Sequence, residues 1–362
     1  MKNSIFAVIM AGGSGIRFWP KSRKNLPKQF LKIIGDKTMI QATVNRIESL
    51  VSYKNILIVT NVNHAKTVHD QLPSISSANV ILEPVARNTA PCIGLAALTV
   101  QQRDKNGVML VLPSDHWIND DRQFCLELEI AAERAVEKET LILFGIKPSY
   151  PETGYGYVQR GKNINPNPSS DCKIYQIEKF KEKPDVEQAK EFIKSGNFYW
   201  NSGSFAWKAS VILDEIKNHL PDLHNGLMKI KAILDTTKDQ VEINKIFQTL
   251  RPESIDTGVM EKTNCAEIII SQVGWGDVGS WKALENHLPT DTSGNAASKK
   301  HILIDTKNSI IEGDNRMIAA IGLKDMVVID TEDVLLICPK ERCQEIKNLV
   351  GQLKKEGKDE YL

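Results

Sequence analysis

At 362 residues the chain is long enough for one large domain and a smaller one. Apolar residues make up 41% and charged residues 25%, the balance of a globular protein. A net charge of +1 excludes a global field for nucleic acid or an anionic membrane. No window reaches the roughly 18 apolar residues of a spanning helix. The apolar run Ile5–Met10 is too short for the core of a signal peptide. The six cysteines (Cys92, Cys125, Cys172, Cys265, Cys338, Cys343) form no CxxC and no cluster with His at zinc spacing. They read as small core residues or free thiols in a reducing compartment. A soluble, cytoplasmic protein is expected, with neither nucleic acid nor membrane as partner.

The first half alternates strand-length apolar runs with longer helical patterns. Ile5–Met10, Ile56–Thr60, Val80–Leu82, Val108–Leu112 and Leu141–Phe144 are predicted strands. Helical spacing covers Thr38–Leu50, Asn63–Leu72, Asn88–Arg103 and Arg122–Lys138. Such alternation, with continuously apolar strands, predicts a parallel sheet covered on both faces. Ligands of these sheets bind beyond the carboxyl ends of the strands, which directs attention to the strand-to-helix loops. From about Tyr150 the pattern changes. Gly154–Val158 and Cys172–Lys181 are predicted strands around a Pro/Asn-rich loop, Asn165–Ser170. Helices follow at Val186–Ser195, Ser210–Leu220, Leu227–Leu234 and Gln240–Leu250, then a polar loop at Asn286–Lys300. Short strand-like pieces come next (His301–Asp305, Ser309–Ile311, Met317–Ile321, Met326–Asp330, Val334–Cys338), spaced too irregularly to read as a repeat, before a helix from Glu341 to Lys355. A boundary near residue 290 separates a large domain, 1–290, from a small β-rich module ending in a helix, 291–362.

The first strand runs into Ala11-Gly12-Gly13-Ser14-Gly15-Ile16-Arg17-Phe18-Trp19-Pro20. Glycines there let backbone N–H groups approach a phosphate chain. The dinucleotide pattern GxGxxG fails, because Phe18 stands where the last glycine would be. A Walker loop fails for want of Gly-Lys-Ser/Thr. Arg17, Lys21, Arg23, Lys24, Lys28 and Lys32 follow with no acid before Asp36. Six cations uncompensated by their sequence neighbours suit a bound polyphosphate, the alternative being an exposed basic face. Stacking aromatics for a nucleic-acid surface are limited to Phe18 and Trp19.

The spacing Gly-Gly-x-Gly-x-Arg, then Pro20 and Pro27-Lys28, resembles the sugar-nucleotide pyrophosphorylases. The fuller AGGSGIRFWPKSRKNLPKQFL resembles their guanylyltransferase branch, the mannose-1-phosphate guanylyltransferases that make GDP-mannose. Further segments resemble family motifs up to about Trp281: Glu83-Pro84-Val85-Ala86-Arg87-Asn88-Thr89-Ala90-Pro91, Leu112-Pro113-Ser114-Asp115-His116, TGYGYV, FKEKP, WNSGSFAW and VGWGDVGSW. The resemblance implies a doubly wound, Rossmann-like α/β nucleotide-diphospho-sugar transferase domain. Its implied reaction is GTP plus α-D-mannose 1-phosphate giving GDP-mannose and pyrophosphate, dependent on Mg²⁺. It implies catalytic roles for Arg17 and Lys28 on the triphosphate. Nucleotide contacts are implied for Ala11, Gly12, Gly13, Ser14, Gly15, Asn88 and Ser114, with Glu83 and Arg87 nearby. Sugar-phosphate contacts are implied for Tyr155, Gly156, Glu182, Lys183 and Asn201. Asp115 and Asp277 are implied as Mg²⁺ ligands, and His116 as a structural neighbour. Taken without the resemblance, Asn88 or Thr89, Asp115 and Asp277 also suit helix N-caps. No general base is needed, because a sugar phosphate's second pKa lies near ~6. Long members append an isomerase-type cupin domain that this chain is too short to hold, so a short form is expected. The tail is expected to pack on the catalytic domain or a second subunit, which admits a homodimer. Two alternatives stay open: the same chemistry on another sugar 1-phosphate or nucleotide, or a catalytically inactive nucleotide-sugar-binding relative.

Overall fold

The computed structural model describes residues 4–13, 15–165, 172–313 and 315–362. Ser14 and positions 166–170 of the Pro/Asn-rich loop lie outside the described residues. The chain divides into two compact units. One comprises Met1–Gly12, Val44–Ser114 and Ile118–Trp275; the other comprises Gly13–Thr43, Asp115–Trp117 and Gly276–Leu362.

Nine strands form the sheet of the first unit: β1 (Ile5–Ala11), β2 (Ile56–Asn61), β3 (Val80–Glu83), β4 (Val108–Pro113), β5 (Leu141–Ile146), β6 (Tyr157–Asn163), β7 (Lys173–Lys181), β8 (Phe198–Lys208) and β9 (Ala266–Ser271). Their order is β3-β2-β1-β4-β8-β5-β9-β7-β6, and β8 also pairs with β6. The expected parallel pairing holds for β3-β2-β1-β4 and for β5 with β9. Elsewhere the ladders are antiparallel: β8 enters the middle of the sheet against both β4 and β5, and β7 runs against both β9 and β6. Sequence reading missed β8 and β9. In β8 the polar run Asn201-Ser202-Gly203-Ser204 interrupts the apolar pattern, yet Ser202 and Ser204 are buried and Gly203 sits at φ 73°. In β9 only Ile268, Ile269 and Ile270 carry a signal, too short to tell from a buried helix segment.

Both faces of this sheet are covered. Phe6 and Val8 join the core formed with α3 (Thr89–Arg103), α6 (Ala209–His219), α7 (Pro221–Leu234) and α8 (Gln240–Thr249). Ala7 and Ile9, which alternation points the other way, are equally buried. The remaining helices are α1 (Met39–Ile47), α2 (Ala65–Gln71), α4 (Asp121–Lys138) and α5 (Val186–Ser195). On α4, Phe124 meets Phe144 of β5 at 6.2 Å between ring centres. The same helix holds Glu267 of β9 through a two-pronged Arg134 bond at 2.7 and 3.0 Å.

The second unit contains stacked parallel rungs that the irregular spacing concealed. β10 (Ala296–Ala297), β12 (Ile310–Gly313) and β14 (Met326–Asp330) align Ala296 with Ile310 and Ile310 with Val327. β11 (Ile302–Ile304) and β13 (Ala319–Ile321) stack alongside, and β15 (Leu335–Pro339) closes the layer antiparallel to β14. The steps are 14 residues (296 to 310) and 17 residues (310 to 327), so no single period runs through the sequence. A polar ladder fixes one corner: Ser309 N donates to Asn295 Oδ1 at 3.1 Å, and Met326 N donates to Ser309 Oγ at 3.2 Å. The final predicted helix divides into a 3₁₀ turn, Lys340–Glu345, and α9 (Ile346–Lys355).

Core packing in the first unit supports a direct test. Ile243 and Phe247 lie one turn apart on α8, and Phe247 is 0% exposed. Phe247→Ala should lower stability by about 3–5 kcal/mol, the usual cost of a buried aromatic truncation. A drop in urea midpoint with unchanged slope is the expected signature.

Candidate active site

Within the second unit, the glycine loop closes directly onto Lys28. Gly15 adopts φ 57°, and a Cβ there would lie 2.3 Å from Lys28 Cβ and 2.7 Å from its backbone N. No side chain fits. Ser22 Oγ donates to Gly15 O at 2.8 Å and Gln29 Nε2 to Gly13 O at 3.0 Å, fixing the loop from the following segment. Lys28 opens a short 3₁₀ turn, Lys28–Phe30, and is only 4% exposed. A buried ammonium needs partners. Its Nζ donates to Asp115 Oδ2 at 2.8 Å and to the Asp277 carbonyl at 2.7 Å. Burial pushes the Asp115 pKa up, but the Lys28 and His116 charges and the Lys28 hydrogen bond outweigh it, leaving the carboxyl below its ordinary range.

Arg17, Lys28, Asp115 and Asp277 line one cavity of about 410 Å³, together with Gly15, Gly279, His116 and Lys347. Arg17 is exposed and has no ion-pair partner among the described residues. The Asp277 carboxylate lies against Gly279, where a Cβ would come within 2.9 Å of Oδ1. Between them the buried Val278 takes φ 47°, a left-handed conformation that β-branched residues strongly disfavour. Neither aspartate caps a helix. Asp120 caps α4 by accepting from Gln123 N at 2.9 Å. The helical turn after Asp277 is a 3₁₀ segment, Lys282–Asn286, capped by Trp281 without a side-chain bond.

The basic cluster is less uncompensated than its sequence neighbourhood suggested. Lys21 pairs with Glu312, Arg23 with Asp333 at 2.7 Å, and Lys28 with Asp115. These acids lie some 90 to 310 positions away, so no local window contains them. Arg17, Lys24 and Lys32 have no such partner among the described residues.

In the first unit, Ala11, Gly12, Glu83 and Ser114 stand at the carboxyl ends of β1, β3 and β4, as the parallel registers require. Gly12 faces the Glu83 carboxyl: a Cβ on Gly12 would sit 3.4 Å from Oε2. Glu83 is 5% exposed and its Oε1 has no hydrogen-bond partner among the described residues. Burial pushes its pKa up to about 7. Asn88, at φ 68°, caps α3, its Oδ1 accepting from Thr89 N at 2.9 Å. The N-cap reading of this loop therefore holds. Arg87 is engaged elsewhere, donating to the Gln248 carbonyl.

The residues expected at the sugar phosphate gather around one carboxylate that sequence reasoning missed. Asn201 N donates to the Gly156 carbonyl at 2.8 Å, and Asn201 Nδ2 donates to Asp256 Oδ1 at 2.8 Å. A Cβ on Gly156 would strike Glu182 Oε2 at 2.6 Å. Lys183, at φ 45°, holds Glu182 Oε1 at 2.6 Å. Tyr155 packs edge-on to Trp200 and Trp275. Burial, then the neighbouring Glu182 charge, raises Asp256 to about 7. Asp256 opens a single π-helical turn, Asp256–Met260, of the kind frequent at functional sites, which hydrophobic periodicity does not reveal. Lys347 was also missed, since it lies in a lysine-rich tail that carries no motif.

No helix among the described residues is long and apolar enough to cross a membrane. The profile of the family described as Nucleotidyl transferase matches residues 6–294. That of the MannoseP isomerase/GMP-like beta-helix domain matches residues 299–353. Proteins of Klebsiella pneumoniae and Escherichia coli, each named mannose-1-phosphate guanylyltransferase, are 39% identical over 360 residues. Each match covers 99% of this chain and 75% of the relative. The crystal structure of a Thermus thermophilus protein, described as a mannose-1-phosphate geranyltransferase, superposes with a TM-score of 0.86 at 30% identity. It covers 97% of this chain and 99% of that one. The chain therefore belongs to the nucleotidyl transferase family, and within it to the mannose-1-phosphate guanylyltransferases.

Proposed function

We propose that the protein joins GTP and α-D-mannose 1-phosphate into GDP-mannose with release of pyrophosphate, in the cytoplasm and with Mg²⁺. Residues 1–290 serve as the catalytic domain on this reading, and 291–362 as its small β-rich module. The observation that carries it is the cavity in which Lys28 is clamped to Asp115 beside Arg17, which has no ion-pair partner among the described residues. Attack on the α-phosphorus expels pyrophosphate, so negative charge builds on the leaving group and the equatorial oxygens. Fixed cations stabilise that charge without reorganising during the step. Lys28 is held by two bonds, and the exposed Arg17 suits an incoming anion.

The donor set fits Mg²⁺, which binds through one or two carboxylates plus substrate phosphates. Asp115 and Asp277 would hold it, and when bound it supplies charge neutralisation to the phosphates. Asn201, Glu182 and Gly156, tied together through hydrogen bonds and close approach, suit the recognition of sugar hydroxyls. Glu83 supports the choice of guanine: a carboxylate short of donors matches the N1–H and N2–H pair of that base, whereas uracil and thymine offer one N–H there.

Two outcomes are expected. In a panel of nucleoside triphosphates against sugar 1-phosphates, read by pyrophosphate release, GTP should exceed UTP and dTTP by about 10²-fold or more in kcat/KM. Mannose 1-phosphate should lead glucose 1-phosphate by ~10-fold. Glu83→Gln should lose GTP and gain XTP, because an amide can accept from N1–H and donate to the 2-oxo group. Preference for UTP or dTTP in the wild type would overturn the nucleotide assignment.

The second outcome concerns the carboxylates. Asp115→Asn and Asp277→Asn should each weaken Mn²⁺ binding in the presence of GTP, measured by electron paramagnetic resonance, and raise the Mg²⁺ requirement of turnover. Unchanged Mn²⁺ affinity in both variants would leave them without a metal role.

A further inference from the structure

The C-terminal module carries none of the family motifs, yet α9 places Lys347 on the wall of the cavity that contains Arg17 and Lys28. The placement is anchored. Ile346 is 3% exposed and packs in the cluster that includes Phe18 and Trp281, with Val350 and Leu353 continuing the same face of α9. Phe18 directly follows Arg17, and Trp281 lies two positions beyond Gly279, so the helix is seated on two cavity-forming segments. Lys347 itself is exposed and has no ion-pair partner among the described residues.

Lys347 is the second residue of α9, which runs on directly from the 3₁₀ turn Lys340–Glu345. No acid occupies the first turn, and the preceding Glu345 is engaged by Arg342 at 2.7 Å through both oxygens. With no acid beside it among the described residues to neutralise it, the Lys347 ammonium makes this wall attractive to an anion. Among the cavity's lysines and arginines, Lys28 is committed to Asp115, which leaves Arg17 and Lys347 to meet further negative charge.

We propose that Lys347 binds the pyrophosphate end of the substrate, the β- and γ-phosphates that leave, making the C-terminal helix part of the active site. This rests on the nucleotidyltransfer reading above, because it assigns the cavity to a triphosphate. A polyphosphate oxygen is the ligand chemistry that satisfies an ammonium set beside Arg17 on one cavity wall.

The test runs the full-length enzyme in the reverse direction, with GDP-mannose and Mg²⁺-pyrophosphate. Lys347→Ala should raise KM for pyrophosphate roughly 10-fold or more, the loss of one charge-assisted hydrogen bond, and leave KM for GDP-mannose within about twofold. Lys347→Arg should restore most of the affinity, and the melting temperature should stay that of the wild type. Calorimetric titration of Mg²⁺-pyrophosphate alone should show the same weakening in Lys347→Ala. That titration reports on Lys347 even if the natural sugar nucleotide is not GDP-mannose, so the two readings fail separately. Unchanged KM and Kd for pyrophosphate would overturn the proposal. So would an equal rise in both KM values with a lowered melting temperature, which would mark Lys347 as a packing residue.

Discussion

A single buried ammonium organises the candidate catalytic cavity. Lys28 lies almost out of solvent, and an unpaired charge there would be prohibitively costly. Its two hydrogen bonds reach the Asp115 carboxylate and the Asp277 carbonyl, residues 87 and 249 positions away. Three loops are thereby drawn to one point. Gly15 completes the arrangement, since only a residue without a side chain permits the glycine loop to lie against Lys28. In the proposed reaction the cation that binds the loops is also suited to the charge that develops when pyrophosphate departs.

Strain collects around the same place. Val278 is held in a left-handed conformation between the Asp277 carboxylate and Gly279, and it is buried in the apolar cluster with Trp281 and Phe18. Packing over-determines a backbone that the residue would not choose, which keeps Asp277 directed at the cavity. In the other unit, Asn88 and Lys183 take positive φ at two of the predicted contact loops. At these positions the surrounding structure overrides local backbone preference.

Much of this was visible in the chain itself, for identifiable reasons. Strands β1, β2, β4 and β5 declare themselves because burial on both faces makes their sequences continuously apolar. A glycine required by close backbone approach stands out at Gly15. Other features depend on distance. β8 hides because buried serines satisfy its interior without an apolar run. The rungs of the C-terminal module hide because loops of unequal length separate equivalent residues. Compensation of Lys21 and Arg23 depends on acids beyond residue 310, and Lys347 reaches the cavity only through the seating of α9. Glu83 and Asp256 are marked by burial, which composition and spacing cannot report.

The coupling between Lys28 and Asp115 is the feature on which the rest turns, and a double-mutant cycle on kcat/KM measures it directly. Lys28→Met, Asp115→Asn and the double variant would be compared at saturating Mg²⁺. Residues acting as one unit lose together, so the double variant is expected to be little worse than the poorer single one. Losses that multiply, as for independent sites, would contradict a cavity organised by this pair.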